Sequence, residues 1–496
     1  MQSFAFQNRP YETDKNASES SVLEQSVCEL LRRLRTRELS SESLVERHIE
    51  RINRVNPHIN ALIAERFEQA RAEAKEADKR YDSMEEGARE TLPPLLGIPC
   101  SIKEFVAQKG MPLTGGLLRR RDRIAQEDST VVARLRAAGA IPLGASNVPE
   151  GGLWMETHNL IWGRTRNPWN VGRTSGGSSG GEGALLGSGA VPFGMGSDIG
   201  GSIRIPAAFC GVVGHKPSAG LVPNTGHFPA SHDPHGYMVI GPLCRKVEDV
   251  MPILRVIAGP DGQDSTCVPL PLSDPQTVRL GDVRVFSWHG KGEVSAVMQD
   301  AILRSADALC SVGAQSGRLS LPNFDRGFLL WAAAMQAENP EGYKPVIQTE
   351  GKFDLMKELL RFPLGRSEFV LPTLMTLLLD SLSRRLPLKP DKLLSQLAKL
   401  RAELDAQLGN NGVILHPPYS RPAPRHRMAL LTPLHAACTA LYNVLGYAVT
   451  VVPVGLDDEG LPVAVQVVAR RGNDHLALAC AQVLEAKLGG FRYATP

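Results

Sequence analysis

Between Arg173 and Pro217 the chain reads RTSGGSSGGEGALLGSGAVPFGMGSDIGGSIRIPAAFCGVVGHKP, a concentration of glycine and serine well beyond the needs of a turn. So little side-chain bulk lets the backbone come close to its neighbours or to a ligand, and it leaves N–H groups free to converge on an anion. Phosphate cradles are the first candidates, and both fail. A Walker A loop needs Gly-Lys followed by Ser or Thr, which is missing, and the GMGSDI run puts Ile199 where a dinucleotide fingerprint needs its third glycine. What remains is a loop able to bind an oxyanion beside several serine hydroxyls. Around it, from Leu92 to Val213, short apolar runs bounded by Gly, Pro, Asn and Ser predict strands joined by tight loops and helices.

The rest of the chain narrows the class. With 496 residues, 43% of them apolar, it can bury a large core. The 55 Lys and Arg nearly balance 52 Asp and Glu, and a formal charge of +3 gives no electrostatic footprint for nucleic acid, so the expected partner is a small molecule. Eight cysteines stand singly, without a CxxC pair, which suits a reducing compartment and gives no structural zinc site. The opening MQSFAFQNRPYETDKN has neither a basic n-region nor an apolar h-region, so cytoplasmic residence is expected. Thr432–Leu456 carries no Asp, Glu, Lys or Arg, yet Asn443, Gly446, Pro453 and Gly455 interrupt it; it reads as a buried helix followed by a buried strand rather than a membrane span.

From Ser20 to about Tyr81, apolar residues recur at three- and four-residue spacing among charges, which predicts consecutive amphipathic helices, one of them capped by Ser41 with Glu42 and Glu46 in its first turns. Residues 1–81 are therefore expected to form a helical segment packed on the core of a domain spanning 82–490. The Pro-, Asp- and Gly-rich stretch Ile257–Val283 connects to a later αβ section. Between Val370 and Leu386 apolar residues cover a helix almost all round. Within 370–405 this admits two readings, a helix packed into the core or a hydrophobic lid at the mouth of an acyl channel.

A serine hydroxyl needs a base to act as a nucleophile at neutral pH. His158 and His215 are the nearest histidines to the segment. Lys103, in PPLLGIPCSIKEF, follows an apolar run; burial would lower its pKa and leave an amine able to accept a proton. Together GGSSGG, DIGGSIRIPAAFCGVVGHKP and the upstream GIPCSIKE resemble the amidase signature, supported by NVPEGG near Asn147, GRTRNPW near Gly163 and VVPVGLDDEGLPVAVQVVA from Val451 to Ala469. GGEGALLGSG and GHKPSAGLVPNTG look most like fatty-acid amide hydrolases of the second vertebrate type.

The resemblance implies a Ser-cisSer-Lys triad of Ser202 as nucleophile, Ser178 following a cis peptide bond, and Lys103 as base, at spacings of 75 and 24 residues. It further implies an oxyanion hole from the N–H groups of Ile199, Gly200, Gly201 and Ser202, and contact of Gly152 with the acyl group. Ser179, Asp198 and Arg204 read as supports of the loop. His232 and His235 form an HxxH pair with Asp233 and Pro234 between them, a poor metal site, and Trp154, Met155 and Trp162 read as core or channel wall. No cofactor and no metal are implied.

The fold implied is α/β, a single large α/β/α domain with a central mixed β-sheet flanked by helices. The function implied is hydrolysis of carboxamides with apolar or aryl groups through an acyl-enzyme, with esters and carbamates as further substrates. Two rivals remain: a glutamine-hydrolysing subunit of a tRNA-dependent amidotransferase, and a membrane-surface binding protein with a vestigial enzyme core. A homodimer is compatible with each of these readings.

Overall fold

The computed structural model describes residues 22–230, 234–288, 294–319, 326–339, 341–348, 351–384, 390–430 and 437–496. At its centre lies a sheet of eleven strands. In chain order these are β1 (Leu62–Glu65), β2 (Pro99–Lys103), β3 (Ile141–Ser146), β4 (Phe193–Asp198), β5 (Val213–Lys216), β6 (Val239–Cys244), β7 (Arg284–Ser287), β8 (Gln315–Gly317), β9 (Gly412–His416), β10 (Ala448–Leu456) and β11 (Pro462–Ala469). Across the sheet the order is β1-β3-β2-β4-β6-β5-β10-β11-β9-β7-β8. The pairs β3-β2, β2-β4, β9-β7 and β7-β8 are parallel and the others antiparallel, so the sheet is mixed.

Strands buried on both faces should be apolar throughout, and β10 and β11 are: AVTVVPVGL and PVAVQVVA. Their alternate residues part company. Val463, Val465 and Val467 of β11 join one core cluster with the helices Val250–Ile257, Ala296–Cys310 and Asp474–Leu488, whereas Ala464 joins another with Ser41–Ile59, Gly180–Gly187 and Arg204–Cys210. That is the three-layered α/β/α arrangement.

Two expectations for the first eighty residues need correction. The helices Val27–Arg35, Ser41–Ile59 and Phe67–Asp82 are present, but Leu62–Glu65 is a strand that forms one edge of the central sheet. A four-residue strand with one buried position carries no period that could announce it. The cap of the second helix is Ser40, whose Oγ accepts from the Ser43 N–H at 3.1 Å; Ser41 is buried in the first turn and its hydroxyl donates to the Gly97 carbonyl.

Of Thr432–Leu456, residues 432–436 lie outside the described residues, and the remainder is a buried helix, Ala437–Val444, leading into β10. The 370–386 stretch, described to residue 384, forms the helix Leu371–Ser383. Leu374 and Leu377 are buried in it, while Leu379 and Leu382 are 56% and 48% exposed; Met356, Leu360 and Leu364 are exposed as well. Among the described residues, no helix is long and apolar enough to cross a membrane.

Candidate active site

The parallel neighbours β2 and β4 end side by side, and their carboxyl ends deliver the polar groups of the site. Lys103 is the last residue of β2 and is fully buried. Its Nζ lies 2.7 Å from Ser178 Oγ, 3.0 Å from Ser197 Oγ and 3.3 Å from the Ser197 carbonyl oxygen. Burial strips solvent from the ammonium and lowers the pKa to about 7, although the carboxylates of Asp198, Glu182 and Glu104 pull the other way. Ser178 sits just before the helix Gly180–Gly187, after a cis Gly177–Ser178 peptide bond.

Beyond β4 the chain turns through Ile199–Ile203 around one carboxylate. Asp198 Oδ1 accepts from the Gly201 N–H at 2.8 Å and Oδ2 from the Ile203 N–H at 3.1 Å, and Arg204 adds a bidentate pair at 2.9 Å on each oxygen. Asn443 Nδ2 donates to Oδ1 at 3.0 Å. Burial alone would raise the pKa of Asp198, but the Arg204 guanidinium and these donors hold it well below the usual carboxylate range. Ser179 ties the loop to the helix: its N–H donates to the Ser202 carbonyl at 3.1 Å, and its hydroxyl donates to the Ser197 carbonyl at 3.3 Å. Ser202 itself is half-buried.

Because a trans peptide points its C=O and N–H in opposite directions, the carbonyl partners reveal where the N–H groups face. The carbonyls of Ile199 and Gly200 accept from Trp331 Nε1 at 2.8 Å and Thr439 Oγ1 at 2.6 Å, and that of Gly201 accepts from the Ile205 N–H at 2.8 Å. The N–H groups of Gly200 and Ser202 are thereby turned away from these partners. None of the described residues accepts from them or from the Ile199 N–H. Of the four donors expected for an oxyanion, Gly201 drops out, since its N–H is already committed to Asp198. Gly201 adopts φ 132°, and a Cβ there would collide with Thr439 Oγ1.

A profile of the Amidase family matches residues 43–478. The chain belongs to the amidase family. It is 39% identical over 483 residues to human fatty-acid amide hydrolase 2, covering 94% of this chain and 89% of that protein. Against a glutamyl-tRNA(Gln) amidotransferase subunit of Prochlorococcus marinus it is 33% identical, over 90% of this chain and 93% of the relative. A 6-aminohexanoate cyclic dimer hydrolase has a similar solved structure, with a TM-score of 0.79 and 26% identity over 95% of this chain and 99% of that one. The protein is thus an amidase-family hydrolase that acts on amides, resembling the fatty-acid amide hydrolases in sequence.

In this amidase Gly152 lies against the ring of Phe105, which in turn stands 4.9 Å from Lys103 Nζ. Leu153 and Phe228 pack with Leu117, Ile347, Phe369, Leu374 and Leu377 in one apolar cluster, which adjoins Phe105 through the bond from the Phe228 N–H to the Phe105 carbonyl. Trp154, Met155 and Trp162 are half-buried, and the backbone of residues 154–156 presses on Gly177. His232 lies outside the described residues, and His235 pairs with Glu338 at 3.0 Å. No group of three potential metal ligands occurs among the described residues.

Four residues at the site were not singled out from sequence. Trp331 and Thr439 hold the loop carbonyls, Asn443 adds a bond to Asp198, and Ser197 touches both Lys103 and His227. Their partners lie 30 to 245 residues away along the chain, and no local pattern announces them.

Proposed function

We propose that the enzyme cleaves the C–N bond of carboxamides with apolar or aryl groups by a relay through Ser202, Ser178 and Lys103. Ser202 Oγ attacks the carbonyl carbon as its proton passes to Ser178 Oγ and the Ser178 proton passes to Lys103 Nζ. The carbonyl oxygen, now an alkoxide, takes the N–H groups of Ile199, Gly200 and Ser202; in comparable sites one such donor is worth about 100- to 1000-fold in rate. Collapse returns the proton by the same route to the leaving nitrogen, which departs as a neutral amine. Water then hydrolyses the acyl-enzyme. The observation that carries this reading is Lys103, buried, with its pKa near 7, and 2.7 Å from Ser178 Oγ. Asp198, Arg204 and Ser179 hold the loop and touch no substrate in this scheme.

The apolar wall of Phe105, Leu153 and Phe228 beside Gly152 supports an apolar acyl or aryl group, and the name of the human relative points to fatty amides. Esters and carbamates are included because they form the same kind of acyl-enzyme. A glutamine-sized polar pocket, as an amidotransferase subunit would need, fits this wall poorly. Incubation with a fluorophosphonate followed by intact-mass and peptide analysis tests the nucleophile: one adduct on Ser202 with loss of turnover is expected, and an unlabelled folded chain would refute it. Parallel assays on a long-chain anilide, an aryl ester, an aryl carbamate and glutamine rank the substrates; glutamine as the best substrate would overturn the apolar reading.

A further inference from the structure

Beside the site runs a segment that the relay does not use. The Ala107 N–H donates to the Gly226 carbonyl at 2.9 Å and the Phe228 N–H to the Phe105 carbonyl at 2.8 Å, which lays residues 226–228 alongside the chain leaving β2. His227, between them, is buried, its ring edge-on to Phe105. Its Nδ1 lies 2.9 Å from the Pro229 carbonyl oxygen and its Nε2 lies 2.8 Å from Ser197 Oγ. Ser197 Oγ is in turn 3.0 Å from Lys103 Nζ.

The direction of each of these bonds follows from counting protons. A carbonyl oxygen only accepts, so Nδ1 of His227 carries the hydrogen and Nε2 is bare. Burial keeps the ring neutral at neutral pH, its pKa lowered to about 4. A bare Nε2 can only accept, and the neighbour able to donate to it is the Ser197 hydroxyl. With its one hydrogen spent, Ser197 Oγ faces Lys103 as an acceptor.

A neutral amine has two N–H bonds and one lone pair. Two acceptors, Ser197 Oγ and the Ser197 carbonyl oxygen, take the two hydrogens. The lone pair is left for the third neighbour, the Ser178 hydroxyl at 2.7 Å. Were the Ser197 hydroxyl free to rotate, its own hydrogen would compete for that lone pair and turn it from Ser178.

We propose that His227 is a positioning residue which, through Ser197, aims the lone pair of Lys103 at Ser178 and so sets the direction of proton transfer. The inference rests on the reading of Lys103 as the base. When the relay fires, the proton leaves Ser178 Oγ for Nζ, Ser178 Oγ receives the proton of Ser202, and the ammonium that results has three hydrogens for three acceptors. The same oxygens therefore serve both charge states of the lysine, and no heavy atom has to move between them.

A double-mutant cycle between His227→Phe and Ser197→Ala tests the coupling. His227→Phe removes the acceptor while keeping a ring, and kcat is expected to fall roughly 10- to 100-fold, part of the full contribution of a general base, with KM within about twofold of wild type. In the Ser197→Ala background there is no competing hydroxyl, and the same substitution should change kcat by less than about twofold. His227→Gln, whose amide oxygen can take the Ser197 hydrogen, should restore most of the rate. His227→Asn is run alongside in case the Phe variant does not fold. Its shorter amide can keep the Pro229 bond but stops short of Ser197, so it should behave as His227→Phe does.

An equal loss in both backgrounds, or a Gln variant as slow as Phe or Asn, would overturn the proposal by showing that the histidine acts on packing alone. Lys103→Ala, assayed in the same series, separates the two questions. An inactive Lys103→Ala with an uncoupled cycle rejects only the role of His227, whereas an active Lys103→Ala rejects the lysine base itself.

Discussion

Raising the pH from 5 to 8 should switch the enzyme on along a single ascending limb, because the relay needs Lys103 without its proton. An exposed lysine, with a pKa of about 10.4, would be neutral in fewer than one molecule in a thousand at pH 7. Burial lowers this one to about 7, which makes about half of the molecules competent at that pH, a gain of about three powers of ten in the population of the base. Below the midpoint the competent fraction falls tenfold per pH unit, to about a tenth at pH 6 and about a hundredth at pH 5, and it reaches about nine-tenths at pH 8. The assay is kcat/KM for a soluble anilide between pH 5 and 9, a quantity that reports the ionisation of the free enzyme. Wild type should trace the limb and Lys103→Ala should lose it along with most of its turnover. A wild-type profile that is flat across this range, or an alanine variant that keeps the same midpoint, would refute the reasoning.

The same depressed pKa has a consequence for stability. Between about pH 7 and 10.5 the unfolded lysine holds a proton that the folded one does not, so the destabilisation it causes is full below pH 7 and fades as the pH rises through that window. Lys103→Met should therefore be more stable than wild type at pH 7, by at most about 4 kcal/mol before the lost hydrogen bonds are counted, with an advantage that shrinks toward pH 10; urea midpoints at the two pH values check this. Trp331→Phe removes the donor to the Ile199 carbonyl, and loss of an aligned oxyanion peptide should lower kcat about tenfold while KM and the melting temperature hold, as steady-state kinetics would show. Asp198→Ala strands Arg204 without its partner in the core and should cost about 3–5 kcal/mol, measured as a lower urea midpoint.

What could be read from sequence follows a physical division. Lys103, Ser178 and Ser202 each lie within a short contiguous motif, and the backbone around each is so tightly constrained that its residues could be recognised together. The alternation of β10 and β11 between two cores left unbroken apolar runs, legible as buried strands. His227, Trp331 and Thr439 act through contacts made only once the chain has folded; Trp331 meets Ile199 across 132 residues and Thr439 meets Gly200 across 239. A tryptophan in an apolar helix looks the same in sequence whether its indole N–H is idle or holds a loop. The one-residue slip at the Ser40–Ser41 cap has a similar origin: either hydroxyl suits the position, and the choice falls to Gly97, whose carbonyl takes the Ser41 hydrogen.

Asp198 also explains why a glycine-rich segment is needed at all. To present N–H groups toward one point, a loop must curl tightly, and the curl has to be paid for by a partner inside it. Asp198 is that partner, taking the hydrogens of Gly201 and Ile203 while Arg204 balances its charge. A carboxylate so placed would compete with the substrate oxyanion for every donor, were the donors not divided by carbonyl partners on the other side of each peptide. Trp331 and Ile205 turn Gly200 and Ser202 outward, whereas Thr439 turns Gly201 inward. A side chain at Gly201 would displace Thr439 and undo that division, which is why the loop demands glycine there rather than merely tolerating it.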